Sequence, residues 1–297
     1  MERRIPVAAM WIRKRRWVLM LVPGTVLLVV FFLLPLLTLG RMAFYTYDPI
    51  RLYVPALTLE NFVKVFSDQY YWSMITNSLT VGFLATLCAV FCAFPVAYYL
   101  TTAKGIERTV LTAGFLATLF ITLLVTTLGW YIILLPFGVI QRLFEVLGLG
   151  SGPLRFIKTI PALVLVLAHA HLPFAVLILA SSIQAIGKDK LQAARTLGAS
   201  PWSIFWRITI PLTMPGIVSS AILVFTLSIS AYLIPVLITG QKIPLLPIAI
   251  WTYSSEVLNW PFASAIAITL FAVTTVFTYA MILVSDLVTR RGKWKVV

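Results

Sequence analysis

Residues 191–217 read LQAARTLGASPWSIFWRITIPLTMPGI, a polar stretch that lies between two long apolar segments of the chain. The residues from about Lys188 to Leu197 contain no helix breaker, so they favour a short helix. Gly198 then permits the backbone turn that ends such a helix. Pro201 suits the first turn of a second helix, and the aromatic residues after it recur near helical spacing. The stretch therefore predicts two short helices joined at a glycine, followed by an apolar segment.

The composition places the whole chain in a lipid bilayer. Of its 297 residues, 61% are hydrophobic and only 11% are charged, with a mean hydropathy of +1.00. A soluble domain has about 25% charged residues. The formal net charge is +14, but the basic residues form short clusters beside apolar runs. That arrangement is typical of membrane topology and not of a nucleic-acid interface.

Six apolar segments are long enough to cross a membrane, which takes about 20 residues per helix. Helices are expected because lipid offers no partner for free backbone groups. The predicted fold is therefore an all-α integral membrane protein with one transmembrane domain over 17–288, flanked by basic segments at 1–16 and 289–297. The first apolar run is longer than a signal-peptide core and is expected to stay uncleaved. The expected spans are about 17–40, 74–100, 110–135, 160–183, 213–238 and 262–286, and a polar loop at 184–212 joins the fourth and fifth.

The basic residues predict the orientation of these spans. The two termini and the alternate loops on the same side carry 16 Lys and Arg residues, and the loops on the other side carry 7. The side richer in basic residues faces the cytoplasm. Both termini and the 184–212 loop are therefore expected in the cytoplasm.

The spacing within 191–217 resembles the EAA loop of ABC-type import permeases, whose pattern is E-A-A, three residues, Gly, nine residues and I-x-L-P. The residues in register are Ala193, Ala194, Gly198, Ile208 and Pro211, while Gln192 replaces the Glu and Ile210 replaces the Leu. Residues 77–79 and 95–100 also resemble these permeases, and residues 231–240 and 259–263 resemble their spermidine/putrescine-type branch.

This resemblance implies a type I ABC importer permease fold in the bacterial inner membrane, with the first helix against a second, homologous permease. It also implies an ATPase dimer and a periplasmic solute-binding protein as partners. The chain itself would bind no cofactor, since ATP and Mg²⁺ are used by the ATPase. In that family the loop contacts the ATPase, and the residues expected to do so here are Gln192, Ala193, Ala194, Gly198, Ala199, Phe205, Ile208 and Pro211.

The residues themselves also favour an external energy source. The chain has no G-x-x-x-x-G-K-[ST] phosphate loop. No Asp, Glu, Lys or Arg lies deep in a predicted span, although proton- and ion-coupled carriers usually need a charged residue there. A membrane-embedded enzyme would need a paired acid and base, which we do not find, and a passive channel would need no ATPase contact. Both remain remote alternatives to a transport subunit.

Several polar residues of the spans are candidates for a solute pathway. His169 and His171 point to nearly opposite helix faces, and Cys88 and Cys92 have no further ligands nearby, so no metal site is predicted. The expected solute is small and polar, polyamine-like or a related organic nitrogen compound. No carboxylate accompanies the polyamine-type segment at 231–232, so an amino-acid derivative, an opine, a phosphonate or an iron chelate stays open. The pathway candidates are Asn77, Thr126, His169, Ser228 and Tyr232.

Overall fold

A computed structural model describes residues 21–136, 138–148 and 156–291. The basic segment predicted at 1–16, residues 17–20 of the first span, and residues 292–297 of the basic segment predicted at 289–297 lie outside these ranges. The described residues are helical apart from connecting loops and one isolated β-bridge between Thr46 and Val54.

Twelve helical segments follow one another along the described chain. They are α1 (Leu21–Met42), α2 (Glu60–Ser67), α3 (Gln69–Thr102), α4 (Gly105–Phe120), α5 (Leu123–Leu134), α6 (Val139–Val146), α7 (Ile160–Gln184), α8 (Lys188–Thr196), α9 (Pro201–Ile229), α10 (Leu233–Thr239), α11 (Leu246–Trp251) and α12 (Trp260–Arg291). Three π-helical turns interrupt or extend them, at Val29–Leu33 within α1, at Phe205–Thr209 within α9, and at Thr252–Glu256 after α11.

Five of these segments (α1, α3, α7, α9 and α12), and the stretch Leu123–Val146 that contains α5 and α6, are long and apolar enough to cross a membrane, which confirms the predicted all-α membrane fold. The second, fourth and sixth expected spans coincide with α3, α7 and α12, each a few residues longer than predicted. The third and fifth expected spans differ from the structure.

The third expected span, 110–135, is not one helix. The backbone of Ile121 and Thr122 is extended and separates α4 from α5. No Gly or Pro marks this break, but two adjacent β-branched residues are stiff at χ1 and favour extended backbone. Irregular backbone at membrane depth is tolerated where it is buried in protein or lines a cavity, and the cavity described below lies at this point.

The fifth expected span, 213–238, is also divided, because α9 ends at Ile229 and α10 begins at Leu233. The physical reason is Pro235. A proline lacks an N–H group, and its ring clashes with the carbonyl four residues earlier, here that of Ala231. The helix therefore stops before Ala231, and the chain turns through 230–232 before it becomes helical again.

Helices α3, α7 and α9 form the centre of the molecule. One face of α3 carries an alanine every fourth residue, and all four side chains are fully buried. Small residues at this spacing allow helix backbones to approach closely, which is how membrane helices gain packing energy without a hydrophobic driving force. The row consists of Ala85, Ala89, Ala93 and Ala97. The C-terminal part of this row packs against apolar residues of α7, such as Ala175 and Leu179.

Helix α1 lies apart from this centre. None of the residues in its most apolar stretch is buried within the described chain, and its main contact with another long helix is with α12. Its apolar side chains therefore face surroundings outside this chain.

Candidate functional site

The short helix α8 is bounded by two glycines in the left-handed region, Gly187 and Gly198, each with a φ of +80°. At its C-terminus, the Gly198 N–H donates to the Arg195 carbonyl (2.9 Å) and the Ala199 N–H donates to the Ala194 carbonyl (3.0 Å). This pair of bonds is a Schellman motif, which satisfies the last carbonyls of a helix. The motif depends on a positive φ at position 198, and glycine adopts this without steric cost.

One face of α8 is exposed and the other packs on the chain. Gln192 and Ala193 are exposed, whereas Ala194 is only 9% exposed. The small side chain of Ala194 therefore allows α8 to pack against the rest of the chain, while Ala193 remains on the outer surface. A Cβ atom added to Gly198 would meet no atom within 4 Å, so the loop beyond α8 is open.

The segment after α8 is anchored on α3. Ser200 caps the start of α9, where its hydroxyl accepts from the Ser203 N–H (3.2 Å), and Pro201 occupies the first turn. Phe205 then packs edge-on against Phe94 and Tyr98, with ring centroids 5.8 and 5.6 Å apart. These aromatic contacts connect the loop to the central bundle through the C-terminal end of α3.

The residues predicted to contact an ATPase thus fall into three classes of exposure. Those on the exposed surface of this segment are Gln192, Ala193, Gly198 and Pro211, those half-buried are Ala199, Phe205 and Ile208, and Ala194 is buried. The prediction missed two large apolar side chains on the same surface, Leu197 at 87% and Trp202 at 70% exposed. Their exposure was not readable from sequence, because both types usually pack inward.

A polar contact holds the C-terminal end of α7, from which the chain continues into α8. The Arg108 guanidinium, in the first turn of α4, donates to the Gln184 side-chain oxygen at the end of α7 (3.1 Å). The Tyr99 hydroxyl at the end of α3 bonds to the Glu107 carboxylate in the same turn of α4. The ends of α3, α4 and α7 are therefore held together immediately beside α8.

A second feature is a cavity of about 840 Å³ at the break between α4 and α5. Its walls are the end of α4, the start of α5, the middle of α7 and Leu227 of α9. Because 169–174 is the central part of the 25-residue helix α7, the cavity lies near mid-depth of the spans. Ligand cavities in proteins have volumes of roughly 300–1,000 Å³, so its size suits a small solute.

Two of the predicted pathway residues, Thr126 and His169, line this cavity together. The Trp130 indole N–H donates to His169 Nδ1 (3.0 Å), and the two rings meet edge-on. An indole nitrogen can only donate, so Nδ1 of His169 must accept. His169 is therefore neutral, with its ring proton on Nε2.

The other three pathway candidates lie elsewhere. The Asn77 amide donates to the Pro244 carbonyl (3.2 Å). Ser228 is buried and shares a hydrogen bond with His171 Nδ1 (3.0 Å), which joins α9 to α7. Tyr232 packs on Trp251 with ring centroids 5.0 Å apart. The structure assigns these side chains to contacts between helices and not to the cavity.

Sequence reasoning missed further cavity residues. Thr118 and Thr122 line it together with Thr126, and this row of hydroxyls at intervals of four in an apolar segment was a readable signal. None of the described residues that line the cavity is acidic. Among the described residues of the chain, no group of three metal-ligating side chains comes together.

The model of the family described as "Binding-protein-dependent transport system inner membrane component" matches residues 5–291. The chain is 32% identical to the spermidine/putrescine transport system permease protein PotB of Escherichia coli over 82% of its own length and 88% of that protein. Two crystal structures of a bacterial alginate ABC transporter share its fold. One covers 95% of this chain and 99% of the transporter chain, with a TM-score of 0.74 and 20% identity. The other includes a periplasmic protein bound to an alginate pentasaccharide, with coverage of 93% and 96%, a TM-score of 0.72 and 20% identity.

The fold, the six apolar spans and the family match agree with the resemblance carried by residues 191–217. They place the protein in the inner membrane as a multi-pass transport subunit. The chain belongs to the family of binding-protein-dependent transport system inner membrane components, the permeases of ABC importers.

Proposed function

We propose that this permease forms part of a translocation pathway for a polyamine-like or related organic nitrogen compound. A periplasmic binding protein delivers the solute, and a separate ATPase dimer hydrolyses Mg-ATP to drive its import. The second permease of the complex is a homologue. The PotB relatives support the solute class, and the binding protein seen with the alginate transporter supports that partner.

The observation that carries the proposal is the exposed, tightly capped helix α8. It projects from the junction of α3, α4 and α7 with Gln192 and Ala193 exposed, and the segment after it exposes the apolar side chains of Leu197 and Trp202. Large apolar side chains exposed beside a rigid helix mark a docking surface for another protein. Phe205 connects this surface to α3, so movement of a docked ATPase would reach the central bundle.

The test is the assembly and activity of the complex. The chain should co-purify with an ATPase, and addition of solute-loaded binding protein should stimulate ATP hydrolysis in proteoliposomes. A paired Leu197→Ser and Trp202→Ser variant should remain in the membrane but lose the ATPase during purification. Matched changes at Leu57 and Trp72, which are exposed outside residues 184–212, serve as the control. Retention of the ATPase by the Leu197/Trp202 variant would show that it does not dock here.

A further inference from the structure

We propose that His169 is a specificity-determining residue that donates a hydrogen bond to the solute, so the cavity selects organic nitrogen compounds that carry an amide oxygen. This inference rests on the proposed function and narrows its substrate class. It concerns the middle of the membrane, away from α8.

The hydrogen bond from Trp130 determines which ring nitrogen of His169 is available to a solute. Nδ1 is occupied as an acceptor at 3.0 Å from the indole nitrogen. Nε2 then carries the only ring proton, and it can donate but not accept. The imidazole is therefore a fixed donor as long as Trp130 holds it, and Trp130 acts as a positioning residue.

The other residues that line the cavity favour a hydrogen bond between His169 and an uncharged group of the solute. Its described walls contain aromatic and aliphatic side chains, including Phe115, Phe120 and Phe174, and no carboxylate. A charged group removed from water needs a countercharge or several hydrogen bonds. A protonated diamine has only donors, and its ammonium group would meet the Nε2–H without an acceptor in return. A solute with an uncharged amide oxygen would satisfy that donor.

The helix break provides space for this contact. The extended backbone at Ile121 and Thr122 lies opposite the centre of α7, and the hydroxyl-bearing residues Thr122 and Thr126 are on the same wall. A hydroxyl both donates and accepts, so these residues suit the amino end of such a solute. The cavity thus offers a donor at His169, hydroxyls on the opposite wall and an apolar surface for a methylene chain.

The experiment compares two probes in proteoliposomes that contain the full complex and its binding protein. Putrescine carries an ammonium group at each end of a four-carbon chain, and N-acetylputrescine replaces one ammonium with an amide. We measure the ratio of their initial uptake rates for the wild type and each variant. The binding protein is the same throughout, so a change in the ratio between variants reports on the membrane subunit.

The wild type should import N-acetylputrescine faster than putrescine. His169→Phe should lower the ratio of the two rates between about threefold and tenfold, as expected for one lost hydrogen bond. Trp130→Phe keeps an aromatic ring but frees Nδ1, so it should lower the ratio in the same direction. The double variant with both Trp130→Phe and His169→Phe should show the same ratio as His169→Phe alone. Trp72→Phe removes an indole that donates to the Phe66 carbonyl at 2.8 Å, away from the cavity, and should leave the ratio unchanged.

Three outcomes would overturn the inference. They are uptake of putrescine by the wild type as fast as uptake of the acetylated probe, uptake of neither probe by the wild type, and an equal slowing of both probes by His169→Phe. A wild-type complex whose ATP hydrolysis does not respond to loaded binding protein would instead refute the proposed function, and this inference with it.

Discussion

At the scale of single residues, Gly216 shows how closely α9 and α7 approach. A Cβ atom built on Gly216 would overlap both Cβ and Oγ of Ser182. We expect Gly216→Ala to destabilise the protein by about 1–3 kcal/mol through overpacking, measured as a lower thermal unfolding temperature in detergent. Adding Ser182→Gly should recover much of this loss. Gly114→Ala in α4, where a Cβ meets no atom within 4 Å, is the matched control and should be neutral or slightly stabilising.

Gly198 has a different requirement, since its φ is +80° but the space around it is open. Gly198→Val should weaken the end of α8 by about 1–2 kcal/mol, because a β-branched residue is strained in the left-handed region. Asp tolerates this region better. We therefore expect Gly198→Asp to preserve the fold and membrane abundance while its side chain blocks ATPase docking.

The measurement for Gly198→Asp is binding-protein-stimulated ATP hydrolysis together with uptake. Gly105→Asp provides the control, since Gly105 also has a positive φ (+57°) and open surroundings but lies at the start of α4. Full stimulation and full uptake by Gly198→Asp would contradict the proposed docking surface.

At the scale of elements, α8 should tolerate a charge at Gln192, which is exposed on its outer face. An exposed ion pair is typically worth only about 0–1 kcal/mol. We expect Gln192→Glu to assemble and transport, with assembly more sensitive to salt because surface charges are screened. Gln192→Lys should assemble less well, since the family resemblance implies a basic ATPase surface. Assembly and uptake across a salt series would check this, and tolerance of Lys but not Glu would indicate an acidic partner surface.

At the scale of the whole molecule, an even number of spans places both termini on one side, and the 16-to-7 distribution of basic residues predicts the cytoplasm. A reporter that is active only in the periplasm should give no signal when fused after Val297. The same reporter inserted at Leu57, in the exposed loop between α1 and α2, should be active. A signal from the C-terminal fusion would contradict the predicted topology.

The sequence predicted the spans best where one helix continues unbroken through the apolar run, as in α7, and least well where a local feature interrupts that run. Pro235 was evident in the sequence. Whether this proline ends a helix at Ala231 depends on whether the preceding helix would otherwise extend that far. The break at Ile121 and Thr122 had only weak local signals. The site shows the same contrast: the role of Gly198 in the turn was predicted from the sequence, whereas nothing in the sequence marked Leu197 as an exposed side chain.

Composition and spacing by themselves determined that the protein is an all-α membrane protein with six spans, because apolar length and backbone satisfaction in lipid allow few alternatives. They also determined the glycine-capped polar helix between the fourth and fifth spans. Only the tertiary structure decided which polar residues share a cavity, because this depends on helix rotation and on partners distant in sequence. Trp130 and His169 are 39 residues apart, and no periodicity within either segment reveals that one determines the tautomer of the other.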